Sequence, residues 1–106
     1  MRPTCFYQPD DEADCFHATA WTRGPWSFEH QHGGPPAALL ARAVERARSE
    51  QDSAVVRFTV EFLRPVPIGR VRVEVEPLKR GRTVECLTAR LWHGNTLLLA
   101  ATALCL

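Results

Sequence analysis

Apolar and polar residues alternate over most of the second half of this chain. Between 55 and 63 the apolar positions Val56, Phe58, Val60 and Phe62 alternate with Arg57, Thr59 and Glu61, and between 70 and 76 valines alternate with charged residues. A period of two is typical of antiparallel strands with one buried face. The pattern predicts strands at 55–63, 70–76, 83–93 and 96–106. The last of these is apolar on both faces, so we expect it to be internal or covered by a partner.

A different period precedes these strands. Leu40, Ala43, Val44 and Ala47 recur at helical spacing, with arginines on the opposite side. Gly34 suits the N-cap, and a proline follows it at the first helical position, where its missing N–H costs nothing. We therefore predict one helix from 35 to about 49.

The flanking segments complete the expected architecture. Residues 1–14 are predicted to form an acidic, solvated surface arm, poorly ordered unless docked, and 15–21 a first strand. Hairpin turns are expected at 79–82, with Gly81 at positive φ, and at Gly94-Asn95. The fold class is thus α+β, with one helix and an antiparallel sheet of about five strands in a single domain at 15–106.

Composition narrows the function classes. In 106 residues the net charge is +1, with no basic run and no apolar stretch of membrane-spanning length, so we expect neither nucleic-acid nor membrane binding. The four cysteines lack metal-type spacing. With no signal-like opening segment, we expect reduced thiols in a cytoplasmic protein.

Candidate chemistry concentrates at the predicted helix start. Gly33 and Gly34 allow close approach of a ligand, and unpaired N–H groups at a helix N-terminus can polarise a carbonyl. His30 and His32 flank these glycines and can act as base, orienting group or turn cap; as a metal pair they lack a third ligand, so no metal or cofactor is predicted. The alternative is a helix entry that needs glycine for packing alone.

Several other positions are candidates for binding or catalysis, and each also has a purely structural interpretation. Arg64, Arg80 and Arg82 suit phosphate groups, although arginines beside a hairpin are commonly just solvated. Trp26, with Phe28, is expected near the helix entrance, in the core, at an interface or against a ligand. Glu45 lies on the arginine-bearing side of the helix, and we expect it to be solvated and paired with Arg42 or Arg48.

Five short segments, in order, resemble the first repeat of the double-hotdog, type II acyl-CoA thioesterases. They are Gly24-Pro25-Trp26, His32-Gly33-Gly34, Glu61-Phe62-Leu63-Arg64-Pro65, Arg80-Gly81-Arg82 and the alanine-rich last strand. The resemblance implies a hotdog fold, in which a curved sheet wraps a central helix. It also implies an acyl-CoA or related acyl thioester as ligand, and pairing as a homodimer or with a second hotdog repeat.

The resemblance leaves more than one function to consider for this chain. In that family the acid, hydroxyl residue and glutamine that activate water belong to the second repeat, which has no counterpart in these residues. Single-hotdog thioesterases carry an acid within the helix, where this chain reads Leu39-Leu40-Ala41-Arg42. The leading hypothesis is acyl-CoA hydrolysis, with carbonyl polarisation by His32, Gly33 and Gly34. The alternative is a non-catalytic acyl-CoA-binding or structural half-domain, and a hotdog hydratase or dehydratase using His32 and Glu45 is third.

Overall fold

One helix and six strands make up the fold in the computed structural model, which describes residues 5–106. The helix, α1, spans Gly34–Ala47. The strands are β1 (Tyr7–Pro9), β2 (Cys15–Ala18), β3 (Val55–Phe62), β4 (Arg70–Arg80), β5 (Glu85–His93) and β6 (Thr96–Cys105). A short 3-10 turn occupies Ala20–Thr22.

All strands join one antiparallel sheet in the order β1-β2-β4-β5-β6-β3. The predicted helix and all five predicted strands are present, although most of their bounds shift. The doubly apolar strand β6 lies between β5 and β3, which confirms its predicted internal position.

Helix α1 packs its apolar stripe against one face of the sheet. Leu40 and Val44 are fully buried, and Leu39 is 6% exposed. They belong to one core cluster with buried residues of β4, β5 and β6, among which Leu87, Leu91 and Leu99 are completely buried. The apolar residues of the period-two pattern in these strands therefore lie on the face of the sheet that the helix covers.

The N-terminal segment docks more firmly than we predicted. Tyr7–Pro9 adds a sixth strand to the edge formed by β2. Asp10 accepts a hydrogen bond from Arg70 and pairs with His17, and Glu12 also pairs with Arg70. Asp10 and Glu12, two of the acidic residues expected to be solvated, thus attach the segment to the sheet.

Strand β2 ends at Ala18 instead of continuing to Trp21. The chain turns there because Thr19 caps the 3-10 turn, its hydroxyl accepting from the N–H of Trp21 at 3.3 Å. Thr22 is fully buried in this turn and donates from its hydroxyl to the Thr19 carbonyl. Trp21 itself is 54% exposed.

The two hairpins differ from each other. Gly94 has φ +57°, so the two-residue turn predicted at Gly94-Asn95 uses the left-handed freedom of glycine. Gly81 does not have positive φ, contrary to prediction; an added Cβ would lie 3.0 Å from the Val84 carbonyl oxygen. Strand β4 also continues past Pro77, which is paired with Leu87, and a register shift between Pro77 and Lys79 leaves Leu78 as the extra residue on β4.

Strand β3 is a sheet edge, and its inner face is less regular than predicted. A register shift between Val55 and Arg57 leaves Val56 54% exposed, while Phe58 and Val60 pack against the core. Phe62 and Leu63 at its end are 55% and 53% exposed. This edge therefore presents apolar side chains that residues 5–106 leave more than half exposed.

Candidate functional site

The segment 22–34 is held in place mainly by backbone hydrogen bonds. The N–H of His32 donates to the Thr22 carbonyl at 2.8 Å, and that of Gly24 donates to the His30 carbonyl at 3.0 Å. An added Cβ at Gly24 would lie 3.1 Å from the His32 backbone nitrogen, so glycine is needed for this close approach. The turn before α1 is therefore a fixed loop.

Gln31 is the buried centre of this loop, and our sequence analysis missed it. Its side-chain nitrogen donates to the Pro67 carbonyl at 2.8 Å, and its side-chain oxygen accepts from the Tyr7 hydroxyl. Its backbone N–H donates to Val66 at 2.7 Å. Burial raises the pKa of Tyr7, which keeps the phenol protonated as the donor. Because these partners are remote in sequence, no local pattern marks Gln31.

The start of α1 offers only two free backbone donors. The helix begins at Gly34 with Gly33 as N-cap, one residue earlier than predicted, and Pro35 and Pro36 have no N–H. Among residues 5–106, no hydrogen bond uses the N–H of Gly33 or of Gly34. The two prolines therefore confine the donors at this helix N-terminus to the two glycines.

Neither glycine has positive φ, so the predicted backbone freedom is not what these positions require. An added Cβ at Gly33 would lie 3.3 Å from the Phe62 ring, and one at Gly34 would lie 3.4 Å from Cε1 of His32. Glycine provides space here, and the imidazole of His32 lies beside the first turn of the helix.

Two depressions flank this helix start. The strand–helix groove, of about 450 Å³, lies between the N-terminal strands and α1. It is lined on the strand side by Phe6, Tyr7, Pro9 and Phe16, and on the helix side by His32, Gly34, Pro35, Ala38, Leu39 and Arg42. The β3-side pocket, of about 290 Å³, contains Gln31, His32, Gly33, Phe62, Leu63, Arg64, Pro65 and Val66. His32 is common to both linings.

The structure brings together only part of the predicted site. His32, Gly33, Gly34 and Arg64 lie around the helix start. His30 forms a β-bridge with Pro67 and lines neither depression. Trp26 is 92% exposed and Phe28 is 79% exposed, so they do not cover the helix entrance as expected.

Arg80 and Arg82 lie at the opposite end of α1. Arg80 donates to Glu85 at 2.7 Å and to the carbonyl of Ala47, the last helical residue, at 3.2 Å. Glu85 also accepts from the N–H of Ser49 at 3.0 Å, and this hydrogen bond, with Arg80, holds the pKa of its carboxyl below the usual range. Arg80 therefore caps the C-terminus of α1 by binding a carbonyl group of its last residue.

Neither lining includes a carboxylate among the residues that the structure describes. Glu45 pairs with Arg48 at 3.1 Å, as predicted, and lies eleven residues after Gly34, or about 16 Å along the helix axis. Asp10, Glu12 and Cys15 bring ligand-type atoms within 4.8 Å of one another, but Arg70 already pairs with both carboxylates. This cluster is an ion-pair network of the N-terminal segment.

Comparison with known proteins places this geometry in a family. Residues 22–106 match the acyl-CoA thioesterase N-terminal domain. The chain belongs to this family. The match includes the Gln31–Gly34 turn, the whole helix and strands β3 to β6.

Solved structures show that the fold is the hotdog fold. A candidate thioesterase from Ralstonia eutropha JMP134, related to phenylacetic acid degradation, is 24% identical with a TM-score of 0.71, over 93% of this chain and 81% of that one. A hot dog fold protein of unknown function from Alicyclobacillus acidocaldarius is 21% identical with a TM-score of 0.70, over 92% of this chain and 36% of that one.

A third structure, the BH2602 protein from Bacillus halodurans, was solved with CoA. It is 13% identical with a TM-score of 0.71, over 86% of this chain and 63% of that one. No curated protein matches the chain. Within the described residues, no helix has the length and apolar character needed to cross a membrane.

Proposed function

We propose that this domain binds an acyl-CoA thioester and serves in its hydrolysis, with the thioester carbonyl held by the N–H groups of Gly33 and Gly34. The observation that carries the proposal is the pair of unused donors between two depressions that share His32. The strand–helix groove is suited to the acyl group, and the β3-side pocket leads to Arg64.

The chemical reason lies in where charge develops. Attack on a thioester carbonyl places negative charge on its oxygen, and preorganised N–H groups at a helix N-terminus stabilise that charge. The missing N–H groups of Pro35 and Pro36 direct the ligand toward the two glycines. Glycine at both positions also keeps the approach to their N–H groups unobstructed.

Binding of the carrier is assigned to the β3-side pocket. Arg64 is exposed at its rim and makes no described ion pair, so its guanidinium is available to a CoA phosphate. Arg80 is engaged by Glu85 and the helix end, which gives it a structural role. The Bacillus halodurans structure with CoA supports this class of carrier for the fold.

Water activation is the part that this chain does not supply by itself. Among residues 5–106, His32 is the one imidazole in the two linings, and no carboxylate accompanies it. We therefore propose that hydrolysis uses groups from a paired domain, and that this chain alone is an acyl-CoA-binding half. The distance of Glu45 from the helix start argues against the hydratase alternative.

Pairing is proposed along the free edge of β3. Val56, Phe62 and Leu63 are more than half exposed there, and an edge strand has unpaired backbone groups. A second copy, or a second hotdog repeat, would continue the sheet and bring new groups beside the β3-side pocket.

We also propose that the protein is cytoplasmic. Its four cysteines are free thiols, which suits a reducing compartment.

The test combines binding and thiol release over a panel of acyl-CoAs. Gly34→Ala places a methyl group beside His32, and we expect octanoyl-CoA affinity to fall at least about tenfold with little loss of stability. Gly69→Ala is the matched control, since its Cβ would meet only His93, at 3.8 Å. Binding without turnover favours the non-catalytic half; absence of binding refutes the proposal.

A further inference from the structure

The strand–helix groove continues well beyond the helix start. Its lining passes from Gly34 through Ala38 and Leu39 to Arg42, and is otherwise apolar apart from His32 and Tyr7. Gly34, where the thioester carbonyl is proposed to lie, is part of this lining. An acyl chain that leaves this point along α1 therefore reaches Arg42.

Arg42 and Arg46 are the arginines of α1 that make no described ion pair. Arg48, Arg70 and Arg80 each pair with a carboxylate. Arg42 makes no described hydrogen bond or ion pair within residues 5–106, and the groove that it lines includes no carboxylate. A guanidinium at the end of an apolar groove is a ready partner for a carboxylate.

A second depression further along α1 also has an excess of positive charge in its lining. It is lined by Arg42 and Arg46, with Asp14 on the opposite side. Asp14 does not come within ion-pair distance of either arginine. Two cations thus face one carboxylate, and the cationic excess begins at Arg42.

The distance sets the length of a fitting ligand. Gly34 and Arg42 are eight residues apart, about 12 Å along the helix axis, and long helical side chains lean back toward the N-terminus. The guanidinium therefore lies within reach of an extended acyl chain of adipyl to suberyl length.

From these observations we propose that Arg42 determines acyl specificity, so that the site prefers medium-length acyl groups that end in a carboxylate. The inference rests on the proposed function, since it assumes that the thioester lies at Gly33 and Gly34. It adds the substrate class, ω-carboxyacyl thioesters, and the residue that recognises it.

The experiment compares two ligands that differ only at the far end of the acyl chain. Non-hydrolysable thioether analogues of suberyl-CoA and octanoyl-CoA are titrated calorimetrically into the full chain. We expect the suberyl analogue to bind at least about threefold more tightly, the size expected for a partly exposed ion pair. In Arg42→Leu the order reverses, because a carboxylate in an apolar groove then has no partner.

Arg46→Leu is the matched control, since it removes the same charge one turn further along α1, outside the strand–helix groove. It should leave the preference for the suberyl analogue unchanged. Arg42→Lys should retain the preference at reduced size. Equal binding of the two analogues to the wild type, or an Arg42→Leu preference like the wild type's, overturns the inference. Failure of the octanoyl analogue to bind the wild type overturns the proposed function instead.

Discussion

The hydroxyl of Tyr7 donates a hydrogen bond to the side-chain oxygen of Gln31, joining the first described strand to the loop that precedes the helix. Tyr7 lines the strand–helix groove, and Gln31 lines the β3-side pocket. One hydrogen bond therefore links the walls of both depressions and holds His32 and the two glycines between them.

Removal of this hydroxyl should weaken the fold and the site together. Tyr7→Phe leaves the oxygen of a residue only 8% exposed without its donor, so we expect a loss of about 1–2 kcal/mol in the free energy of unfolding. Urea titration measures it, with Thr88→Val as control, because the Thr88 hydroxyl bonds at the exposed sheet surface. A double-mutant cycle of Tyr7→Phe with Gln31→Ala should give a coupling of about 1 kcal/mol; additive effects would contradict a direct interaction.

The stability of the helix end should depend on pH through Glu85. Its lowered pKa means that its contribution is complete above the unfolded value of about 4.3 and is lost as pH falls through the folded pKa. Unfolding between pH 3 and 7 should therefore show an acid-side decline that is shallower in Glu85→Gln. Glu50→Gln, at an exposed carboxylate, is the control and should follow the wild type.

Asp10 should add to the same acid-side decline. The hydrogen bond with His17, aided by Arg70, lowers the pKa of Asp10 to about 2. Its contribution is thus present above about pH 4 and is lost toward pH 2. Asp10→Asn should flatten the lowest part of the profile and release the N-terminal strand, which limited proteolysis detects. Asp11→Asn is the matched control, and equal proteolysis of both variants would argue against the anchoring role.

The helix–sheet contact should dominate stability. Leu40 is completely buried among the leucines of β5 and β6, so Leu40→Ala should cost about 3–4 kcal/mol, from lost transfer energy and the cavity left behind. The matched control is Leu78→Ala, at a leucine that is 65% exposed, which should cost under about 1 kcal/mol. Comparable losses in the two variants would contradict the position of the core.

Pairing should depend on the β3 edge. Val56→Lys combined with Leu63→Lys places two charges on this apolar edge, and we expect light scattering to report a shift from paired to single chains. Leu78→Lys, far from that edge strand in the sheet order, should leave the mass unchanged. A wild-type mass of one chain at micromolar concentration would contradict pairing with itself.

Local pattern was sufficient for the helix, for the five longer strands and for the family. The apolar spacing from Leu40 to Ala47 and the alternation from Arg70 to Glu76 are set by the period of each element, and that period is written in neighbouring residues. The glycine pair was also found locally, because a helix start has its own residue preferences.

Contacts between residues distant in sequence decided the rest. Gln31 became a buried centre because Tyr7 and Pro67 converge on it, and Arg80 became a structural residue because Glu85 and the helix end meet there. Likewise, Gly33 needs space for the ring of Phe62 and does not need positive φ. Such roles follow from packing in three dimensions, because a side chain's partner, its burial and the volume left to it depend on which elements the sheet order brings together.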